Sequence, residues 1–390
     1  MSKEPMSRAG RARPPWGVYV HLPFCKTHCA YCHFFTRPWG DGSGAEPLVG
    51  LLLQEIAAHA PPRRPRADSV FFGGGTPSLI PPAAIERLLA ALDRRFALAP
   101  DAEITLEMNP DDADPERCAG YRAAGVNRVS LGVQSFRDRD LRALDRRHSA
   151  AQAEAALRML RHAGFDNISL DLIGGLPRQS LPAWRAILDR ACELEPEHLS
   201  MYLLELDPEQ QRRHPVFQRL PPERRVADSY RVAVERLERA GLAQYEISNF
   251  ARAGRESRHN LKYWIDRPFA AFGPAAHGYD LRRRWWNHAG ISAYRRAIES
   301  GQAPRAGVEP ISARRRAEDA LMLGLRLNRG IDLADFAARY RWDVARRREP
   351  ELVRLATAGL ITRGRSRLAL TLEGRLLSNE VFTELLPDLL

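Results

Sequence analysis

Short apolar runs alternate with amphipathic segments between residues 17 and 250. The apolar runs are rich in β-branched and aromatic residues, and they predict strands at 18–22, 69–72, 103–108, 128–133, 167–173 and 198–204. Between them, apolar residues recur about every 3.6 positions, which predicts helices at 46–59, 83–95, 115–123, 150–163, 181–194 and 221–240. Strands that are apolar on both faces belong in a parallel sheet covered by helices. The pattern therefore predicts an α/β fold with a partial (β/α)6 barrel.

The pattern changes after about residue 305. Three helical segments, a short strand-like run and a last helix predict a winged-helix-like module at 306–390. The less regular stretch 251–305 is predicted to be a connecting segment, and 1–16 a disordered tail before the barrel at 17–250. Winged-helix modules often bind DNA, but this one shows no exposed basic recognition helix. We therefore expect it to act as a lid or a docking element.

The composition limits which cellular compartment and which partners we expect for the chain. The 390 residues are 44% hydrophobic, which is enough for a sizeable core. No apolar run approaches the roughly 18 residues that span a bilayer, and the N-terminal residues have no apolar signal region, so we expect a cytoplasmic protein. The net charge of +11 comes almost entirely from arginines spread along the chain. A nucleic-acid partner is therefore not expected.

Three of the five cysteines lie within eight residues, at Cys25, Cys29 and Cys32. An odd cysteine count with this crowding is a poor disulfide framework and is typical of a metal site in a reducing compartment. A structural zinc ion needs four ligands, and only His28 or His33 could complete the set. Three thiolates suit a [4Fe–4S] cluster that leaves one iron open for a small molecule. The cluster is the favoured interpretation, with zinc and free thiols as alternatives.

Polar and glycine-rich residues follow several of the predicted strands. The sequence "GGGTPS" occupies 73–78, Glu107 ends the strand "EITLEM", Gln134 follows "VSLGV", and Asp171 lies in "ISLDLI". In parallel α/β folds, ligand-handling groups gather at the carboxyl ends of the strands. We therefore expect these residues to share one rim with the cysteine loop.

The cysteine spacing behind an apolar strand resembles the radical S-adenosylmethionine (SAM) superfamily. The segments "FFGGGTPSL", "LGVQSF", "DLIGGLPRQ" and "HNLKYW" resemble its oxygen-independent coproporphyrinogen III oxidase branch, and within that branch the haem-chaperone subgroup. The oxidases carry a further cysteine where this chain has Phe34, and the chaperones also have an aromatic residue there. His33 departs from the aspartate that is usual in the chaperones.

The resemblance implies that Cys25, Cys29 and Cys32 hold a [4Fe–4S] cluster whose open iron binds SAM. It assigns the SAM contacts to residues on the strand ends and their loops, namely Tyr19, Gly74, Gly75, Thr76, Glu107, Gln134, Arg146 and Asp171. The glycines would let the backbone approach the ligand. Arg146 would pair with the SAM carboxylate, because a guanidinium can bind a carboxylate through two hydrogen bonds.

The motif "HNLKYW" at 259–264 implies a haem site in the chaperone subgroup. His259 is the candidate iron ligand, with Tyr263 and Trp264 beside the porphyrin, and His277 is a second candidate. A core histidine surrounded by packing aromatic residues is the alternative.

Three functions remain open from the sequence. The first is a haem chaperone that binds haem and passes it to acceptor proteins, and the second is an oxygen-independent coproporphyrinogen III oxidase of porphyrin biosynthesis. The third is a regulator that binds DNA through its C-terminal module. No catalytic residue is assigned, and an electron donor would be needed if SAM is cleaved.

Overall fold

The computed structural model describes residues 14–59 and 64–386. Of the predicted tail at 1–16, the first thirteen residues lie outside the described residues, and Trp16 begins the first strand.

The strands, in chain order, are β1 Trp16–Leu22, β2 Phe24–Cys25, β3 Arg37–Pro38, β4 Arg66–Gly74, β5 Ala97–Met108, β6 Arg128–Gln134, β7 Ile168–Gly174, β8 His198–Leu203, β9 Ala243–Glu246, β10 Asn249–Ala251, β11 Phe269–Phe272, β12 His277–Tyr279, β13 Arg283–Asn287, β14 Arg305–Pro310, β15 Ile331–Asp332, β16 Ile361–Arg363 and β17 Arg367–Leu370.

The α-helices are α1 Ala45–Ala58, α2 Pro82–Arg95, α3 Pro115–Ala123, α4 Asp138–Ala143, α5 Ala150–His162, α6 Leu181–Glu193, α7 Pro208–Arg213, α8 Glu223–Arg239, α9 Arg258–Trp264, α10 Ile291–Glu299, α11 Ala313–Leu325, α12 Leu333–Tyr340, α13 Val344–Arg347, α14 Glu349–Thr357, α15 Leu372–Leu376 and α16 Ser378–Leu385. Short 3-10 turns lie at Pro77–Leu79, Pro110–Asp112 and Pro215–Arg219.

Twelve of the described strands form one sheet in the order β14-β13-β12-β11-β1-β4-β5-β6-β7-β8-β10-β9. The run from β1 through β4, β5, β6 and β7 to β8 is parallel throughout and follows chain order. These are the six predicted strands, each followed by a helix on the outer side. The predicted α/β class and the six-stranded parallel unit are confirmed, and the described sheet ends at two edges, β14 and β9.

The two faces of the parallel sheet differ in polarity, which corrects the prediction of strands that are apolar on both sides. On the outer face, residues such as Leu106, Val129 and Leu170 pack against the helices in the main core. The inner face carries the alternate residues, which are polar and are bonded across strands: Arg128 to Thr105, Ser130 to Asp171, and Ser169 to His198. Side chains alternate between faces along a strand, so this polar inner face follows from every second residue.

The segment 251–305 is more regular than the predicted connection. It forms α9 and the strands β11–β13, and it leads into β14. Strand β11 pairs with β1 in parallel, and β12, β13 and β14 continue the sheet in antiparallel order. These strands are only three to six residues long, which explains why no period was visible in the sequence.

The C-terminal part has a second apolar core, separate from the main one. Helices α11, α12 and α14 surround it, with the three-stranded sheet β15-β17-β16 and the closing helix α16. Helices followed by a small β-sheet are the winged-helix-like arrangement that the sequence predicts. Among the residues that the structure describes, no helix is both long and apolar enough to cross a bilayer.

Asp266 links the main sheet to the C-terminal part. Its buried carboxylate accepts hydrogen bonds from Tyr279 OH at 2.5 Å and Tyr340 OH at 2.8 Å. It also pairs with the guanidinium groups of Arg316 at 2.8 Å and Arg339 at 2.9 Å. A single carboxylate therefore compensates two arginines from the C-terminal part.

We predict that Asp266→Asn lowers the free energy of unfolding by about 3 kcal/mol, because both arginines lose their only shared anion in a buried place. Urea denaturation of the full chain measures this. The exposed Glu299→Gln is the control and should change the value by less than about 0.5 kcal/mol. Equal stability of the two variants would show that Asp266 does not hold these parts together.

Candidate metal and cofactor site

The glycine loop after β4 and the cysteine loop after β1 pack against each other through their backbones. Gly75 N donates to Leu22 O at 3.0 Å, and Thr76 N donates to Phe24 O at 2.7 Å. A Cβ atom on Gly75 would lie 2.6 Å from the carbonyl carbon of Pro23, so no larger residue is accommodated. The predicted reason for glycine was the approach of a ligand. At Gly75 the close neighbour is the cysteine loop itself.

The three thiols lie in the wall of one cavity of about 350 Å³ at the carboxyl end of the parallel strands. Thr76 Oγ1 donates to Cys25 Sγ at 3.4 Å, and Arg146 Nη1 lies 3.5 Å from Cys29 Sγ. Burial raises the pKa of Cys25 to about 11 and also raises the pKa of Cys32. These thiols therefore keep their protons at neutral pH until a metal displaces them.

The donor set consists of three thiols, which are ligands both for zinc and for iron–sulfur clusters. Among the described residues, no three His, Cys, Asp or Glu side chains converge on a point where they could hold one metal ion. In a cluster each thiolate binds a different iron, so the sulfur atoms need not converge. The two histidines that could complete a zinc site contact residues other than the cysteines. His28 Nδ1 is 3.1 Å from Thr36 Oγ1, and His33 Nδ1 is 3.7 Å from Asp207.

The cysteine loop is also held by an ion pair outside the thiols. Lys26 Nζ lies 2.5 Å from Asp112 Oδ1 and 3.8 Å from Asp111 Oδ2. Ser78 Oγ donates to the other oxygen of Asp112 at 2.9 Å. The loop is thus positioned from three sides, by β1, by the glycine loop and by the turn after β5.

Two carboxylates line the cavity from β5 and β7, the strands on either side of β6. Gly74 N donates to Glu107 Oε2 at 3.1 Å, and Ser130 Oγ donates to Asp171 Oδ1 at 3.1 Å. Burial, together with the charge of Asp171, raises the pKa of Glu107 to about 8, and burial raises the pKa of Asp171 to about 6. Among the described residues, Glu107 accepts its bond from Gly74 N, whereas Asp171 accepts bonds from the hydroxyls of Ser130 and Ser169, so Glu107 has more capacity left for the donors of a polar ligand.

The two terminal nitrogens of Arg146 have different surroundings. Its Nη2 donates to Asn109 Oδ1 at 2.6 Å and to Gly132 O at 2.8 Å, whereas Nη1 faces the thiols. The predicted two-point pairing with a carboxylate would have to displace the bond to Asn109. Only Nη1 is directed toward the cysteine loop.

The rim also contains backbone in the left-handed region. Gly74 has φ +111°, and Gln134 has φ +66°, a conformation that is rare for residues with a side chain. Gln134 is buried, and its amide lies next to Gly132, where a Cβ would be 3.1 Å from Nε2. Strained residues of this kind concentrate at binding sites.

Ten of the twelve predicted site residues line this cavity, and Tyr19 and His259 do not. Tyr19 lies deeper on the inner face, where its hydroxyl is 3.0 Å from His21 Nδ1. His259 is only 1% exposed, with Nδ1 3.1 Å from Ser69 Oγ and Nε2 2.9 Å from Tyr263 OH.

The environment of His259 is that of a packed core histidine. Helix α9 lies over the inner face, and its first amides, of Arg258 and His259, donate to Glu103. Burial lowers the pKa of His259 to about 3. A bond from either nitrogen to iron would require the loss of an existing hydrogen bond. A ligand role for His259 therefore stays a prediction, and it requires that one of these hydrogen bonds be replaced.

Sequence reasoning missed several residues of the site. Asn109 directly follows β5 and joins Arg146 to Thr76: its Oδ1 accepts from Arg146 Nη2, and its Nδ2 donates to Thr76 Oγ1 at 3.0 Å. Arg128, 1% exposed, is a buried cation on the inner face, and no ion pair is found for it among the described residues. The sequence could have indicated this, because Arg128 precedes Ser130 by two residues in the same strand and must therefore lie on the same face of the sheet.

Comparison with known proteins identifies the class. Residues 19–191 match the radical SAM superfamily, and residues 311–377 match the HemN C-terminal domain. The structure resembles that of the radical SAM enzyme coproporphyrinogen III oxidase HemN from Escherichia coli, with a TM-score of 0.84 over 96% of this chain and 90% of that one. At 24% identity, this likeness shows a shared fold. The chain is a member of the radical SAM superfamily.

Its nearer relatives narrow the assignment. The chain is 34% identical to the haem chaperone HemW of Bacillus subtilis over 95% of its own length and 99% of that relative. It is 38% identical to HemW of Mycobacterium tuberculosis strain H37Rv, with 95% of each chain covered. Within the superfamily, the chain belongs to the HemW family.

We predict that the metal-free protein loses stability as pH rises from about 4.5 to 8, partly because of Glu107. The folded state keeps this carboxyl protonated up to about pH 8, whereas the unfolded chain releases the proton near 4.5, so ionisation favours unfolding in this window. In Glu107→Gln, the loss between pH 5 and pH 8 should be smaller by on the order of 2 kcal/mol.

Urea denaturation at the two pH values measures this difference. The exposed Glu299→Gln should keep the wild-type dependence. An identical decline in wild type and Glu107→Gln would show that the carboxyl ionises normally.

Proposed function

We propose that this chain is a haem chaperone, which binds haem and passes it to acceptor proteins. The observation that carries the proposal is the 34–38% identity to HemW chaperones over 95% of the chain. The likeness to the oxidase HemN is one of fold, at 24% identity. Phe34, which replaces the further cysteine of the oxidases, is 71% exposed beside the cavity.

The cysteine loop would hold a [4Fe–4S] cluster through Cys25, Cys29 and Cys32. The support is the chemistry of the donors: three thiols line one cavity wall, and a guanidinium lies beside one sulfur. A cluster with three thiolates offers one iron to SAM and supplies electrons to it. The chain's own residues would orient SAM and exclude water.

The remaining cavity residues would bind SAM. Glu107 and Asp171 are suited to accept hydrogen bonds from its hydroxyl or amino groups, because both are carboxyl groups that line the cavity. Gly74, Thr76 and Gln134 complete the wall. Arg146 Nη1, which faces the thiols, is the cation available to the carboxylate of SAM.

The partners of the proposed function are haem, a haem-acceptor protein and, if SAM is cleaved, an electron donor. We place this activity in the cytoplasm, where thiols remain reduced, because the five cysteines are unpaired. The domain division proposed from the sequence assigns cofactor binding to 17–250, and the C-terminal part at 306–390 would serve docking.

We predict that the anaerobically reconstituted chain holds about four iron atoms and that Cys29→Ala loses most of them, because a second corner of the cluster is then left without a protein ligand. Iron and sulfide analysis with electron paramagnetic resonance measures this. Cys192→Ala, a thiol on α6 away from the cavity, is the control and should retain the cluster. Zinc bound by the loop in place of iron would overturn the cluster assignment.

We also predict that the chain binds about one haem per molecule and does not convert coproporphyrinogen III under anaerobic conditions. Absorbance titration with haemin and product analysis in the presence of SAM and a reductant test the two halves. The chaperone proposal fails if protoporphyrinogen forms while SAM is consumed, or if haem does not bind.

A further inference from the structure

A second, larger cavity lies on the outer face of the sheet. It is bounded by the end of α1, by strands β11, β13 and β14, and by the turn after α10. We name it the outer groove. Its volume is about 1250 Å³, against about 350 Å³ for the cavity with the three thiols. Sites for cofactors are usually the large concave pockets of a protein.

The walls of the outer groove combine aromatic rings with free cations. Trp16 and Trp285 line it, and the guanidinium of Arg305 lies 5.2 Å from the Trp285 ring. For the guanidiniums of Arg305 and Arg282, no ion pair is found among the described residues. Burial, together with the charge of Arg283, lowers the pKa of Arg305, and the nearby acids Asp280 and Glu55 offset this only in part.

The acids that face the outer groove are already satisfied. Asp280 pairs with Arg283 at 2.9 Å. Glu55 accepts hydrogen bonds from Tyr294 OH at 2.5 Å and from Asn287 Nδ2 at 2.7 Å, and burial raises its pKa to about 7. The excess charge available to a ligand is therefore positive, so the groove favours a ligand with acidic groups.

His59 supplies a free imidazole at the same place. It ends α1, half-buried between the rings of Phe96 at 5.6 Å and Phe272 at 5.3 Å. Neither ring nitrogen has a hydrogen-bond partner among the described residues, unlike both nitrogens of His259. Burial lowers the pKa of His59 to about 4, so the ring is neutral at pH 7 and can bind a metal.

We propose that the outer groove is the haem site, with His59 as the iron ligand, Arg282 and Arg305 on the propionates, and Trp16 and Trp285 beside the macrocycle. This inference rests on the proposed function and adds its location. Haem is a flat apolar ring with an iron and two carboxylates, and the groove offers aromatic walls, an imidazole and two cations for those parts.

The outer groove is separate from the thiol cavity. Trp16 is the first residue of β1, and the cysteine loop follows the other end of that strand, roughly 20 Å away at about 3.3 Å per residue. Haem bound there would not occupy the space proposed for SAM. The two cofactors could therefore be held together by one chain.

The test is haemin titration of the full-length chain, followed through the Soret band. His59→Ala should weaken binding at least tenfold and shift the band, because the iron loses its ligand. Arg305→Gln, which leaves His59 in place, should weaken binding about tenfold for haem but little for its dimethyl ester. His162→Ala, an exposed histidine on α5, should match wild type.

The outcomes separate the inference from the function on which it rests. If wild type binds haem and both His59→Ala and Arg305→Gln bind it unchanged, the groove is not the site, and the chaperone proposal stands. If His259→Ala is the only variant that alters the Soret band, the groove is again not the site and the chaperone proposal again stands. If wild type binds no haem, both fail. Circular dichroism of each variant confirms that a loss of binding is not a loss of folding.

Discussion

The backbone contact between the glycine loop and the cysteine loop determines the geometry of the whole site. Two hydrogen bonds join the loops, and Gly75 leaves room for Pro23 and Phe24 in the space that a Cβ would fill. The cysteine loop and the glycine loop, with the Thr76 hydroxyl, are thereby fixed relative to one another by β1 and β4, which are adjacent and parallel. This pair of strands thus positions the three thiols that, in our proposal, would hold the cluster.

The second constraint is the polarity of the sheet. Its outer face is apolar and packs against the helices, and its inner face buries carboxylates, hydroxyls and Arg128. Buried polar groups are costly unless they have partners, and here the partners are one another, helix α9 and, in our proposal, SAM. This arrangement separates two tasks: the inner face serves the thiol cavity, and the outer face, extended by β11–β14, forms the larger groove.

The sequence allowed much of this to be predicted, and the misses have physical causes. Long apolar runs and amphipathic helices predicted the six parallel units, because such periods survive over many residues. The strands β11–β13 are too short to show a period, and the inner polarity was hidden because Glu103, Thr105 and Glu107 alternate with apolar neighbours. The cavity residues were found through motifs, whereas Asn109, Arg128 and the partners of His259 depend on contacts between distant segments.

The central claim is that three thiols leave one corner of a cluster to SAM. Electron–nuclear double resonance of the reduced, reconstituted chain, with SAM labelled at its carboxylate and amino groups, tests this directly. We expect hyperfine coupling from both labels to the cluster, and its loss in Cys29→Ala. A cluster without coupling to either label, or a loop filled by zinc, would contradict it.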